Sequence, residues 1–221
     1  MDILAVINSL REKRTIFHSE ADFQFALAWE IQLIYPNAIV RLEYPPPHDP
    51  TKYIDIIVSL DGNIYPIELK YKTKLFNAKV GGELYYLKNH GAQDIGKYDF
   101  VKDIYRLETF REHIFGYKEG YAIWLTNDPY YWNKPKSDTA GYLAFSVHQG
   151  AVKEGTMAWG ESMNEGSIKG REKPIFLSGS YLIDWQDYCR VDCKNGVFKY
   201  AVINVNAVEK ETSNVHRAFG Y

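Results

Sequence analysis

The hydrophobic and polar positions of this chain repeat with two periods, and each period predicts one kind of element. Apolar side chains recur at helical spacing over residues 19–35 and 94–114, which predicts two long helices. Four segments have the β-rich or alternating pattern of strands, at 38–44, 53–60, 63–72 and 120–128. The order of helix, three strands, helix and strand predicts an α/β fold built on a mixed sheet.

The segments outside these elements are less regular. Ser19 is placed to cap the first long helix, and glycines at 81, 82 and 91 predict a loop with some local structure after the hairpin. Beyond residue 128 we expect a β-rich extension with few periodic segments. Its predicted strands are at 141–147, 174–178, 180–185 and 197–205.

Length and composition favour one domain. With 221 residues, of which 46% are hydrophobic, the chain can bury a substantial core. We predict a single domain with its core at about 19–128 and an extension at about 129–221. The first residues lack the apolar run of a signal peptide, and no segment approaches the roughly 20 apolar residues of a membrane span. We therefore expect a cytoplasmic protein without a membrane partner.

The hairpin brings two acidic side chains together. Asp61-Gly62 is the commonest chemistry for a two-residue turn, and the register that it sets places Asp55 opposite Glu68. Like charges that face each other across a ladder destabilise a sheet. Because directly paired Cβ atoms lie about 4.5 to 5.5 Å apart, the two carboxylates can share a magnesium ion.

Lys70 adds a cation to the same face of the strand. Strand periodicity places Glu68, Lys70 and Lys72 on one side and apolar residues on the other. The Lys70 ammonium can then act on a metal-bound water or on a phosphate, which are the parts needed to hydrolyse a phosphodiester. The alternative is a salt-bridge cluster on a solvated surface, in which Lys70 neutralises Asp55 and Glu68.

These residues together resemble a known family. Asp55, twelve residues, and then Glu68-Leu69-Lys70 on a hairpin are similar to the motif of the PD-(D/E)XK nuclease superfamily, with Ile54 in place of the proline. The resemblance implies a restriction-endonuclease-like core, a mixed sheet flanked by helices. It implies that Asp55, Glu68 and the Leu69 carbonyl bind Mg²⁺, with Mn²⁺ as an alternative ion, and that Lys70 assists the attacking water.

The family also places a glutamate near the start of its first core helix, which here corresponds to Glu20. The resemblance implies that Glu20 completes the metal site. The alternative is that Glu20 only compensates the helix dipole, which favours acidic residues in a first turn.

A locally basic segment predicts the nucleic-acid contacts. Residues 70–106 hold eight basic residues against four acidic ones, although the whole chain has a net charge of −2. Gln93 and Tyr98 resemble a glutamine–tyrosine pair found in several lineages of the superfamily, at a spacing one residue longer. Alternatives are a helix capped by Gln93 or Asp94 and a solvated face of mixed charge. The predicted nucleic-acid contacts are Lys72, Lys74, Gln93, Lys97, Tyr98, Lys102 and Arg106.

The preferred function is therefore a magnesium-dependent nuclease that acts on DNA. The competing interpretation is a nucleic-acid-binding or scaffolding protein that keeps the fold without catalysis. A homodimer, the strand state of the substrate and endo or exo action stay open. The segment 128–136 interleaves aromatic and basic residues and is an alternative contact surface.

Overall fold

The computed structural model describes residues 1–207 of the chain. The helices are α1 (Ile3–Lys13), α2 (Glu20–Ile34), α3 (Gln93–His113), α4 (Pro129–Trp132) and α5 (Glu165–Ile168). The strands are β1 (Ile39–Tyr44), β2 (Ile54–Leu60), β3 (Asn63–Lys72), β4 (Phe76–Val80), β5 (Glu83–Leu87), β6 (Glu119–Thr126), β7 (Val152–Met157), β8 (Ile175–Leu182), β9 (Trp185–Arg190) and β10 (Val197–Asn206).

A six-stranded mixed sheet forms the centre of the molecule, in the order β1-β2-β3-β6-β10-β9. Strands β3 and β6 pair in parallel, and the other neighbours in this sheet pair antiparallel. The helix α3 connects the segment after β3 to β6, as a parallel pair requires a crossover. The structure is therefore of the α/β class with a mixed sheet, as predicted.

Helices cover both faces of this sheet. On one face, α1 and α2 pack against Ile67, Leu69 and Tyr71 of β3, and on the other, α3 packs against Ala122 and Trp124 of β6. The alternation of side chains along a strand separates these two cores. Consequently the polar side chains of β3 project toward α3 rather than into water.

The predicted hairpin and its register are confirmed as far as Ile56 and Ile67, and the predicted pair of Asp55 and Glu68 lies one position beyond the observed ladder. Asp61 and Gly62 both have positive φ, at 51° and 77°, as a type I′ turn requires. The pairs run from Leu60 opposite Asn63 to Ile56 opposite Ile67. The predicted helix over 19–35 is α2, and Ser19 caps it by accepting a hydrogen bond from the Asp22 N–H at 3.1 Å.

Two predictions for other segments are wrong. Residues 76–93, predicted as a loop with some local structure, contain the hairpin of β4 and β5, because Gly81 and Gly82 form its turn with positive φ. The predicted strand at 141–147 is a turn around a 3₁₀ helix, Leu143–Phe145. Phe145 and Val147 are buried under α3 outside any strand, so an apolar run here indicates burial rather than extended backbone.

The segment beyond residue 128 has two structural roles. Strands β7 and β8 form a separate two-stranded sheet, whereas β9 and β10 join the central sheet at β6. This segment therefore completes the central sheet and adds a second, two-stranded sheet. Within residues 1–207, no helix has the length and apolar character needed to cross a membrane.

Candidate active site

The candidate site lies where β3 runs past the start of β2. The β2–β3 ladder ends at Ile56 and Ile67, so within residues 1–207 the backbone of β3 beyond that point has no strand partner on this edge. Side chains take the place of the strand. Asp55 Oδ2 accepts a hydrogen bond from the Leu69 N–H at 2.6 Å, and Glu20 Oε2 accepts one from the Tyr71 N–H at 2.7 Å.

This edge of β3 also presents a carbonyl. In a strand, the N–H and C=O of one residue point to the same edge, which is why an antiparallel hydrogen-bonded pair exchanges both bonds. The Leu69 carbonyl therefore faces the edge on which its N–H meets Asp55. Three oxygen-bearing groups predicted to bind the metal ion therefore meet at this edge. They are the carboxylates of Glu20 and Asp55 and the carbonyl of Leu69.

Helix α2 fixes the position of Asp55 through its backbone. The buried Gln24 side chain donates hydrogen bonds to the Asp55 carbonyl at 2.7 Å and to Glu43 Oε1 at 2.7 Å. Gln24 lies one turn after Glu20 on α2. The same face of this helix therefore supplies the Glu20 carboxylate and the side chain that holds the backbone of Asp55. Glu43 has a positive φ of 49°, although β1 keeps its register with β2 on either side of it.

The other face of β3 places Glu68 and Lys70 against α3. Lys70 Nζ lies 2.6 Å from Asp103 Oδ2, and Arg106 Nη1 lies 3.0 Å from Glu68 Oε2. Arg106 also donates to the carbonyl of Tyr53. Glu68 is 1% exposed, and the side chain of Lys70 is 17% exposed. The alternative of a solvated cluster in which Lys70 pairs with Asp55 and Glu68 is therefore wrong, because α3 covers Glu68 and Lys70 and supplies the partners of both.

The site carries more negative than positive charge. Four carboxylates, from Glu20, Asp55, Glu68 and Asp103, surround the cations of Lys70 and Arg106. If all are ionised, two positive and four negative groups leave a formal charge of −2. A divalent cation would balance this charge.

The pKa values follow from burial and from this excess of carboxylates. Burial, with the charges of Asp103 and Glu20, raises the pKa of Asp55 to about 6. Burial and the neighbouring Asp103 raise the pKa of Glu68 well above its usual value.

Lys70 responds in the opposite direction. Burial disfavours its charge, but the facing Asp103, with Glu20 and Asp55, raises the Lys70 pKa above its usual value. The lysine therefore stays protonated at neutral pH.

The residues present fit a hard divalent metal ion. Glu68 Oε1 is buried without a hydrogen-bond partner in residues 1–207, and burial raises the pKa of the neighbouring Asp55 carboxylate. Carboxylate and carbonyl oxygens are the ligands that Mg²⁺ and Mn²⁺ take, with water in the remaining positions. Across the described residues, no group of three or more His, Cys, Asp or Glu side chains has a metal-binding arrangement. The oxygen ligands predicted for such an ion are Glu20, Asp55, Glu68 and the Leu69 carbonyl, of which Glu20 and Asp55 meet the edge of β3 that bears Leu69.

Five of the seven residues predicted to contact nucleic acid are partly exposed: Lys72, Lys74, Gln93, Lys102 and Arg106. Lys72 lines a cleft with Glu20, and Lys102 lines a cleft of about 420 Å³ with Lys70 and Arg106. The Arg106 guanidinium is committed to Glu68 and Tyr53 rather than free for a phosphate.

Lys74 and Gln93 meet at one carboxylate. Lys74 Nζ lies 3.4 Å from Asp128 Oδ1, and Gln93 donates to Asp128 Oδ2 at 3.3 Å. Neither Gln93 nor Asp94 caps α3, since the N-cap is Ala92 in a left-handed conformation.

The predictions for Lys97 and Tyr98 are wrong in this structure. Lys97 is 1% exposed, and its Nζ lies 3.8 Å and 4.1 Å from the ring centroids of Tyr130 and Tyr142. Burial lowers the Lys97 pKa to about 8. Tyr98 is 3% exposed and donates a hydrogen bond to the Lys173 carbonyl at 3.1 Å. The segment after β6 covers this end of α3, so Lys97 is enclosed by the protein, and Tyr98 only borders a cleft beside Lys102 with 3% of its surface exposed.

Asp103 is the site residue that sequence reasoning missed. The helical period placed Asp103 and Arg106 on the polar side of α3, which is typical of a solvated face. The available signal was their spacing of three residues, which puts both on one face of the helix. Which surface that face meets depends on how α3 docks on β3.

No family model, curated protein or solved structure matches this chain.

Proposed function

We propose that this protein is a divalent-metal-dependent nuclease that hydrolyses phosphodiester bonds in DNA. The observation that carries the proposal is the meeting of Glu20 and Asp55, from different elements, on the edge of β3 that bears Leu69. Glu68 and Lys70 lie on the same strand. The sheet order β1-β2-β3-β6, with β3 and β6 parallel, supports a restriction-endonuclease-like core.

Each residue has a role that follows from its contacts. Asp55, Glu68 and the Leu69 carbonyl would hold Mg²⁺ or Mn²⁺. When bound, the ion would polarise the scissile phosphate and lower the pKa of its bound water. Lys70, protonated beside Asp103, acts as a cation that stabilises charge developing on the phosphoryl oxygens rather than as a base. Glu20 uses Oε2 for the Tyr71 N–H, and its Oε1 can accept a hydrogen bond from the attacking water.

A second candidate is a nucleic-acid-binding protein without catalysis. The observation that favours it is that Glu68 and Lys70 each have a partner on α3. These ion pairs link β3 to α3 without a metal ion. In this interpretation Glu68 and Lys70 stabilise the fold and have no catalytic role. In that case a nucleic acid would bind, and no metal would promote its cleavage.

Cleavage assays separate the two candidates. The protein is incubated with labelled single-stranded, duplex and branched DNA and with RNA, in Mg²⁺, Mn²⁺ or EDTA. We expect metal-dependent cleavage of DNA, and we expect Glu68→Gln to remove it. Glu112→Gln is the matched control, because Glu112 is an exposed carboxylate at the end of α3.

Three results would contradict the nuclease proposal. They are equal cleavage in EDTA, a Glu68→Gln variant that cleaves as fast as the parent, and salt-dependent binding of DNA without cleavage in either metal. The last result would establish the second candidate.

A further inference from the structure

The β4–β5 hairpin, absent from the sequence prediction, leaves β3 directly after the candidate site. Thr73 closes the base of this hairpin. Its N–H donates to His90 Nδ1 at 2.9 Å, its hydroxyl donates to the Lys88 carbonyl at 2.8 Å, and its carbonyl accepts from the His90 N–H at 2.7 Å. Three hydrogen bonds from one residue fix the direction in which the hairpin leaves the sheet.

A second set of contacts holds the hairpin at its turn. His18 Nε2 lies 2.8 Å from Glu83 Oε1, and the His18 ring stacks on Tyr85 with centroids 4.5 Å apart. Asn127 accepts from the Lys74 N–H at 2.7 Å and so ties the first strand of the hairpin to the end of β6. Both ends of the hairpin are therefore anchored, and its outer surface is pre-organised.

The outer face of the hairpin combines exposed apolar side chains with cations. Lys79 pairs with Leu84, and Asn77 pairs with Tyr86. Leu84 and Tyr86 are 65% and 63% exposed. Lys88 follows on the same side by the two-residue period of a strand. An exposed aromatic ring between cations is the composition of surfaces that bind single-stranded nucleic acid.

A cleft connects this face to the candidate active site. It has a volume of about 360 Å³, and its lining includes Glu20, Lys72, Tyr86, Lys88 and His90. Because His90 Nδ1 accepts the Thr73 N–H, the ring carries its proton on Nε2 when neutral and offers a donor. Two lysines and this donor face one carboxylate, so the cleft favours an anionic ligand. Glu20 makes the cleft continuous with the edge of β3.

We propose that this cleft and the outer face of the β4–β5 hairpin bind one unpaired nucleic-acid strand, and that this strand leads to the candidate active site. Lys72 and Lys88 neutralise phosphates, and Tyr86 stacks on a base. The strand is unpaired because a base inside a duplex cannot offer its face to Tyr86. This inference rests on the proposed function, since it names the strand state of the substrate for the same site.

Fluorescence anisotropy with a labelled 20-nucleotide oligothymidylate tests the inference, with Ca²⁺ in place of Mg²⁺ so that cleavage does not interfere. Each phosphate-contacting cation contributes about 0.7 to the slope of log affinity against log salt for a single strand. We expect Lys72→Gln with Lys88→Gln to reduce that slope by about 1.4. We expect Tyr86→Ala to weaken binding by about 5- to 150-fold. The control for the lysine pair is Lys118→Gln with Lys169→Gln, and the control for Tyr86→Ala is Phe115→Ala. All three control positions are exposed and lie outside the hairpin, so we expect the salt slope and the affinity to stay unchanged.

Circular dichroism first confirms that the variants are folded. An unchanged salt slope, tighter binding of a duplex of the same length, or no binding of oligothymidylate would overturn the inference. The two proposals fail in different ways. Hairpin-dependent binding without cleavage in Mg²⁺ or Mn²⁺ would refute the nuclease alone, whereas metal-dependent cleavage with hairpin-independent binding would refute the strand-binding surface alone.

Discussion

Replacing Asp55 by Asn isolates the electrostatic cost of the candidate metal site. The carboxylate accepts the Leu69 N–H at 2.6 Å, and an Asn carbonyl of nearly the same shape can accept the same bond. The substitution therefore removes the charge and keeps the contact. Without metal, we expect the Asn variant to be more stable than the parent at neutral pH.

The magnitude follows from the pKa of Asp55. Burial and nearby carboxylates raise it from 3.8 to about 6, a shift of about 2.2 pH units, or about 3 kcal/mol. Between these two values the folded state holds a proton that the unfolded state has lost, so stability falls as pH rises. Across pH 4.5 to 7.5, the stability of the parent should fall by about 2 kcal/mol relative to the Asn variant.

Urea denaturation in EDTA at pH 4.5, 6.0 and 7.5 measures this difference. Asp61→Asn, at the exposed turn of the same hairpin, removes an equal charge and serves as the control, for which we expect no growing difference. Addition of Mg²⁺ at pH 7.5 should then stabilise the parent and leave the Asp55→Asn variant unchanged, because a ligand that binds only the folded state adds to its stability. A stability difference that stays constant from pH 4.5 to 7.5 would refute the electrostatic argument, and equal stabilisation of both proteins by Mg²⁺ would refute the metal site at Asp55.

Three further predictions concern the neighbours of Asp55. Arg106→Ala leaves the buried Glu68 carboxylate without its 3.0 Å partner, so we expect a loss of about 3 to 5 kcal/mol in urea denaturation at pH 8, and a loss below 1 kcal/mol would show that the pair is dispensable. Asp103→Asn removes the partner of Lys70, and we expect kcat to fall by about tenfold or more with KM unchanged; a fall in stability with kcat preserved would count against a positioning role. Glu20→Gln keeps an acceptor for the Tyr71 N–H, so the unfolding free energy should change by no more than about 1 kcal/mol. Isothermal titration calorimetry should show weaker Mg²⁺ binding by this variant. An unchanged Mg²⁺ affinity would mean that Glu20 only caps the backbone of β3.

Local chemistry made much of the fold readable from the sequence. Asp61-Gly62 determines the turn and hence the register of β2 and β3, because only residues that tolerate positive φ fit a type I′ turn. Ser19 marks the start of α2 by capping it. The two-residue period of β3 separates Ile67, Leu69 and Tyr71 from Glu68 and Lys70. These features depend on neighbours in sequence, so they do not require knowledge of the rest of the chain.

Only the tertiary structure decided which groups meet. The partners of Lys70 and Glu68 are on α3, more than thirty residues away, and the docking of that helix depends on the whole apolar face buried beneath it. The burial of Lys97 under Tyr130 and Tyr142 likewise depends on how the segment after β6 returns over α3. The same holds for β9 and β10, which complete the sheet by pairing with a strand distant in sequence. The positions of Asp55 and Glu20 also depend on the tertiary structure, because β3 continues past the end of its ladder with β2. The N–H groups of Leu69 and Tyr71 are left there without a strand partner, and the two carboxylates accept hydrogen bonds from them.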